Sequence, residues 1–189
     1  IDAEDLRDWP LRNRFNSVWT GGATLKWGAD RGHGWEQQSG HSWNAVVAPY
    51  SKHFEEHPEW YPLVRGRRMP RSDVSIRLPN QLCVSNQSLR DHTVNQIVQY
   101  FRDNPRSRIF PMNPMDGPNY NCECDQCRAL DPPGFEWNQD FSGFPRFPNL
   151  RLPPLSDRYL NYVNHVAERV TKVFPDRLFE FYNYASRVP

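Results

Sequence analysis

Three of the chain's four cysteines fall within six residues, Cys122-Glu-Cys124-Asp-Gln-Cys127, and Cys83 is the fourth. Three thiols that close cannot avoid one another in space. A Cys-x-Cys pair makes a strained disulfide, whereas a soft metal ion takes several thiolates from one tight loop. With Cys83 as a fourth ligand ahead of a helix, the set closes a four-thiolate zinc site. Such a site is structural, because no coordination position remains for water. Two other fates suit the same residues: two disulfides in an oxidising compartment, or four reduced, idle thiols.

Asp116 stands where a strand-like run gives way to the turn Asn113-Pro-Met-Asp-Gly117, the usual place for a catalytic group in a parallel-strand barrel. Its alternative role is to cap that turn. His41 and Trp43, two apart on an expected strand, would face one side. An indole that stacks on a sugar ring beside a polar hydrogen-bonder suits carbohydrate recognition, although a buried histidine more often satisfies a backbone carbonyl. Tyr182 and Tyr184 repeat that spacing on the last expected strand, with Glu180 on the same face, and either line a pocket or fill the core. Asn86 is placed to bond substrate or to cap the next helix. His53, Glu56 and His57 lack a further spaced ligand and make a weak metal set. Arg65-Gly-Arg-Arg68 is too short for nucleic-acid binding and reads as surface.

These residues need a scaffold. Ala3 to Asn13 reads as a short helix, Phe15 to Trp19 as a strand, Ala23 to Asp30 as one or two helical turns, and Trp35 to Val47 as a second strand. Pro49 to Asn80 is a long irregular stretch whose Tyr50, Phe54, Trp60 and Tyr61 suggest packing. Gln81 to Asn86 reads as a short β run. A helix capped by Ser88 runs to about Asn104, with Val94, Ile97, Val98 and Phe101 on one face. A strand follows from Ser107 to Met112, then a Pro-rich loop from Asp131 to Pro154. A second helix is capped by Ser156 and closed by Pro175, with Tyr159, Val163, Val166 and Val170 as its stripe. Leu178 to Ser186 is a final strand. Strands that alternate with helices imply an α/β fold with parallel strands.

The chain has 189 residues, enough for one domain with a real core. Its net charge of +1 argues against a nucleic-acid or anionic-membrane binder. Only Lys26, Lys52 and Lys172 among its 23 cations are lysine, so the rest are arginine, which favours bidentate and buried pairing. Aromatics at 14% speak for a folded chain. No apolar run approaches the roughly 20 residues of a membrane helix, and no signal or lipidation motif opens the sequence. The chain reads as a segment of something larger.

Asp5-Leu-Arg-Asp-Trp-Pro-Leu-Arg-Asn-Arg-Phe-Asn16, His57-Pro-Glu-Trp-Tyr61, Gln81-Leu-Cys-Val-Ser-Asn86, Asp116-Gly117 and Cys122-x-Cys-x2-Cys127 together resemble the domain-of-unknown-function 4838 family, across nearly the whole chain. The resemblance implies a bacterial, secreted or periplasmic protein and a glycoside-hydrolase-like (β/α)8 TIM barrel. It relates the chain to hexosaminidases and α-glucuronidases. Residues 1–189 would then be one segment of that barrel, about strands two to five, with long Pro-rich loops. The remainder of the barrel or an oligomer partner would cover its strand edges. In hexosaminidases the third strand ends in a motif that Gly40-His41-Ser42 resembles, and the fourth in an Asp-Glu pair. Here Asp116 matches the Asp, but Gly117 stands in place of the acid Glu. The cysteine loop also resembles the zinc cluster of some microbial β-galactosidases.

Glycoside hydrolysis needs two carboxyl groups, about 5–5.5 Å apart for retention or 6.5–9.5 Å for inversion. Asp116 is the clear candidate, as general acid or orienting carboxylate, and Glu180 a possible partner set deep in its strand. The expected function is action on a polysaccharide or oligosaccharide gripped by His41, Trp43, Asn86, Tyr182 and Tyr184. The alternatives are a carbohydrate-binding barrel that has lost catalysis and a zinc-stabilised interaction module.

Overall fold

The computed structural model describes residues 40–68, 81–115, 121–134 and 155–182. The helix expected over 3–13, the strand over 15–19 and the turns over 23–30 lie outside them. So do Asp116, Gly117 and Tyr184.

Two long helices carry the core. The first, α2 (Gln87–Asp103), buries Leu89, Thr93, Ile97, Val98 and Phe101, a stripe at helical spacing. The second, α4 (Ser156–Thr171), buries Tyr159, Tyr162, Val163, Val166 and Val170. They pack on each other, and the Thr93 and Tyr162 hydroxyls meet at 2.6 Å inside the contact. Capping meets the expectation for Asn86 and departs from those for Ser88 and Ser156. Asn86, not Ser88, caps α2, its side chain accepting from the Leu89 N–H at 2.9 Å, while the Ser88 hydroxyl donates to Asn86. In α4 the cap is Leu155, and Ser156 lies inside the first turn with its buried hydroxyl unpartnered.

Beneath the helices lie β3 (Ile109–Pro111) and β4 (Leu178–Glu180), parallel and in register as Ile109↔Leu178, Phe110↔Phe179 and Pro111↔Glu180. A third segment joins this pair, because His41 bridges Asn113 in parallel. The Met112 N–H donates to the Glu180 carbonyl at 2.8 Å, and the Asn113 carbonyl accepts from the Ser42 N–H at 3.0 Å. Successive residues of an extended chain point to opposite edges, so the β3 segment runs between His41 and β4. Helix and strand are thus mixed in the α/β manner, and the described strands form two small sheets and no closed barrel.

The strand expected through Val47 stops early. Trp43–Val47 winds into a π-helical turn, with the Val47 N–H reaching the Ser42 carbonyl and the Ala48 N–H the Trp43 carbonyl, until Pro49 ends it. Gln81 to Asn86 is likewise irregular rather than β. The expected loop after Pro49 contains the short helix α1 (Tyr50–His53), a 3₁₀ turn at Pro58–Trp60, and a hairpin of β1 (Leu63–Val64) and β2 (Arg67–Arg68). Its turn places both Arg65 (φ 50°) and Gly66 (φ 76°) in the left-handed region, the two-residue geometry that matches strand twist. Tyr50, Phe54 and Tyr61 pack as one aromatic group, as expected. Among the described residues no helix is long and apolar enough to cross a membrane.

Candidate functional site

The four cysteines converge. The hairpin lays its edge against the loop of Cys122, and the short helix α3 (Asp125–Arg128) turns Cys127 back toward Cys124. Cys83 arrives from the other side, its N–H held by the Trp60 carbonyl at 2.8 Å. The Cys83 sulfur lies 3.4 Å from that of Cys122, 3.7 Å from Cys124 and 3.9 Å from Cys127. All four sulfurs fall within 4.8 Å of one another. No pair is bonded as a disulfide. A tetrahedron built on a Zn–S bond near 2.3 Å has sulfur–sulfur edges of about 3.8 Å. The spacing therefore fits four thiolates around one metal ion.

The surroundings fit too. The Leu63 N–H donates to the Cys122 sulfur at 3.3 Å, and the Ser85 hydroxyl lies 3.0 Å from the Cys127 sulfur. Arg68, expected at the surface, is half-buried, donating to the Tyr61 carbonyl at 2.6 Å and reaching the Cys122 sulfur at 3.8 Å. Such outer contacts orient metal ligands and offset their charge. Hydrogen bonds from Cys122 and Cys127 hold the Cys83 thiol far below its ordinary range, and that from Cys127 draws Cys124 down to about 6. Cys127 is pushed far up, first by its bond to Cys122. Four sulfurs this close cannot all ionise unaided, and a bound cation is what lets all of them act as thiolates. The closed set can organise the fold and offers no open position for chemistry.

A second group gathers at the C-terminal ends of the parallel segments. The Glu180 carboxylate accepts from the Asn113 side-chain amide at 2.8 Å, and the same amide donates to the Gly40 carbonyl at 3.1 Å. Asn113 is fully buried, and its Oδ1 has no hydrogen-bond partner. His41 Nδ1 lies 2.6 Å from the Pro114 carbonyl; a carbonyl only accepts, so Nδ1 carries the proton. The Tyr182 ring meets His41 edge-on, with centroids 5.4 Å apart. Gln81 links the two groups: its amide grips Met115 on both sides, donating to the carbonyl at 2.8 Å and accepting from the N–H at 3.1 Å.

His41 and Tyr182 therefore come together as the sequence suggests, while Trp43 does not join them. The π-helical turn carries its indole into the core, fully buried against Tyr159 and Tyr162, where Nε1 donates to the Met112 carbonyl at 3.1 Å. Asn86 is engaged as the helix cap. Glu180 is not deep in its strand but the last residue of β4. Asn113 reads in the sequence only as part of a turn, and nothing there marks it as the partner of Glu180. His53 and His57 ring Trp60 together with His92, stacked or tilted on the indole rather than aimed at a common point.

No curated protein and no solved structure matches the chain. The sequence profile of the domain of unknown function DUF4838 matches residues 6–188, and the chain belongs to that family.

Proposed function

We propose that this domain acts on a polysaccharide or oligosaccharide as a glycoside-hydrolase-like catalytic domain of a secreted or periplasmic protein, with zinc as the structural ion of its cysteine centre. The observation that supports this best is the gathering of His41, Asn113, Glu180 and Tyr182 at the C-terminal ends of parallel segments, where parallel α/β folds bind their ligands. A carboxylate, an amide, an imidazole and a phenol ring are the side chains that hydroxyl-rich ligands require. Asp116, which follows Met115 directly in the sequence, is the proposed general acid or orienting carboxylate. As acid it would protonate the glycosidic oxygen while the bond from C1 to that oxygen breaks. The metal supplies no step and fixes the loop that carries Cys122, Cys124 and Cys127.

Gly117 after Asp116 favours a second reading, a carbohydrate-binding domain without turnover. A panel of chromogenic glycosides separates the two. If Asp116→Asn abolishes turnover and leaves saccharide binding in place, the catalytic reading stands. If the wild type binds saccharides without cleaving any, the binding reading replaces it. No thermal shift with any saccharide overturns both and leaves a metal-stabilised interaction module.

A further inference from the structure

We infer that Glu180 is a ligand-contacting carboxylate of the strand-end subsite and that Asn113 is its positioning residue; this rests on the carbohydrate reading above. Three features carry it. Glu180 ends β4, half-buried, on the side where the parallel segments stop. Its carboxylate is held by an amide that is itself fully buried and anchored on the Gly40 carbonyl, so its aim is set by the core rather than by solvent. The walls beside it, His41 and Tyr182, are fixed in turn by the Pro114 carbonyl and by their ring contact. A surface carboxylate needs no such support. A buried amide spent on orienting one carboxylate next to an aromatic ring is the arrangement that sugar recognition uses: the carboxylate accepts from vicinal hydroxyls while a ring covers an apolar face.

Several cations among the described residues are engaged elsewhere. Arg158 serves Asp131 and the Cys122 carbonyl, Arg90 the Val84 carbonyl and Asn161, and Arg68 the Tyr61 carbonyl. A carboxylate that contacts the ligand repels an acidic one, so the ligand this subsite suits is a neutral or N-acetylated sugar.

The test is titration calorimetry of the full chain with matched probes, cello-oligosaccharides and chito-oligosaccharides as the neutral set and glucuronate-terminated oligosaccharides as the acidic one. Glu180→Gln keeps the oxygen that Asn113 donates to and removes the charge. The expected result is at least a tenfold loss for the neutral probes, together with a rise in acidic relative to neutral affinity, because like-charge repulsion is gone. Glu180→Asp, which keeps the charge and withdraws it by one methylene, should weaken neutral probes without changing that ratio. It also serves if the glutamine variant fails to fold. Glu123→Gln, which removes a carboxylate beside the cysteine loop, should change neither. Saccharide binding that is insensitive to both Glu180 variants overturns the inference and leaves the carbohydrate reading intact. No binding by the wild type overturns that reading and the inference with it.

Discussion

Arg158 and Asp131 form a two-pronged pair. The guanidinium donates through Nε and Nη2 to both carboxylate oxygens, while Nη1 donates to the Cys122 carbonyl at 2.7 Å. Arg158 is 1% exposed, so a helix that packs the core also clamps the cysteine loop. Breaking one side of a buried pair strands the other, at a cost of about 3–5 kcal/mol. Arg158→Met should therefore lower the melting temperature by roughly 6–20 °C, at about 2–4 °C per kcal/mol for a chain of this size. The double variant Arg158→Met/Asp131→Leu should recover much of that loss. Thermal denaturation of the three proteins checks it, and a double variant no better than the single would point to the Cys122 carbonyl as the main partner.

The cysteine centre predicts one zinc per chain in protein purified under reducing conditions, measured by elemental analysis. A chelator should remove it and lower the melting temperature. Cys127→Ser should abolish retention and leave the protein indifferent to the chelator, since a three-thiolate set binds far more weakly. Metal-free protein with no titratable thiol would instead establish the disulfide alternative.

The cysteine site was legible because ligand type and loop spacing are local, and a loop of six residues cannot separate three thiols. The two helices were legible through their apolar stripes, and the parallel pairing of β3 with β4 through the alternation of elements. What surrounds the four cysteines was not. Arg68 and Arg158 are two of many arginines in the sequence, and only folding brings a hairpin and a distant helix to the same loop. Trp43 misled for a related reason. Its spacing from His41 suits a strand, but the buried Met112 carbonyl and the cleft between Tyr159 and Tyr162 reward a turn that takes the indole inward. Tertiary packing overrode local pattern there. Glu180 and Asn113 are 67 residues apart and became a pair only through strand register.

Trp43 accordingly makes a core prediction. Trp43→Phe keeps an aromatic ring but strands the Met112 carbonyl in the interior, at about 1–3 kcal/mol, with further loss from the smaller ring. The variant should melt several degrees lower and bind saccharides as the wild type does. Normal stability with lost saccharide binding would place the indole in the ligand site instead.

The histidines around Trp60 predict how stability follows pH. Burial first, then the neighbouring His57, holds His53 below its ordinary value; in His92 burial outweighs the bond to the Val47 carbonyl. Neutral His92 makes that bond at 3.0 Å through Nε2–H, so it needs no charge to do so. With folded values below the unfolded value near 6.5, the unfolded chain binds more protons in between, and stability rises with pH across that range. The contribution is present above about pH 6.5 and is lost as pH falls through the folded values. Urea denaturation at saturating zinc between pH 7.5 and 5 should show this decline. His92→Gln, whose amide can still donate to Val47, should flatten it while the melting temperature at pH 7.5 changes little. A slope unchanged in His92→Gln would move the titration to His53, to His165, whose value burial also lowers, or to the cysteine centre, and zinc content across the same series tells the histidines from the cysteines.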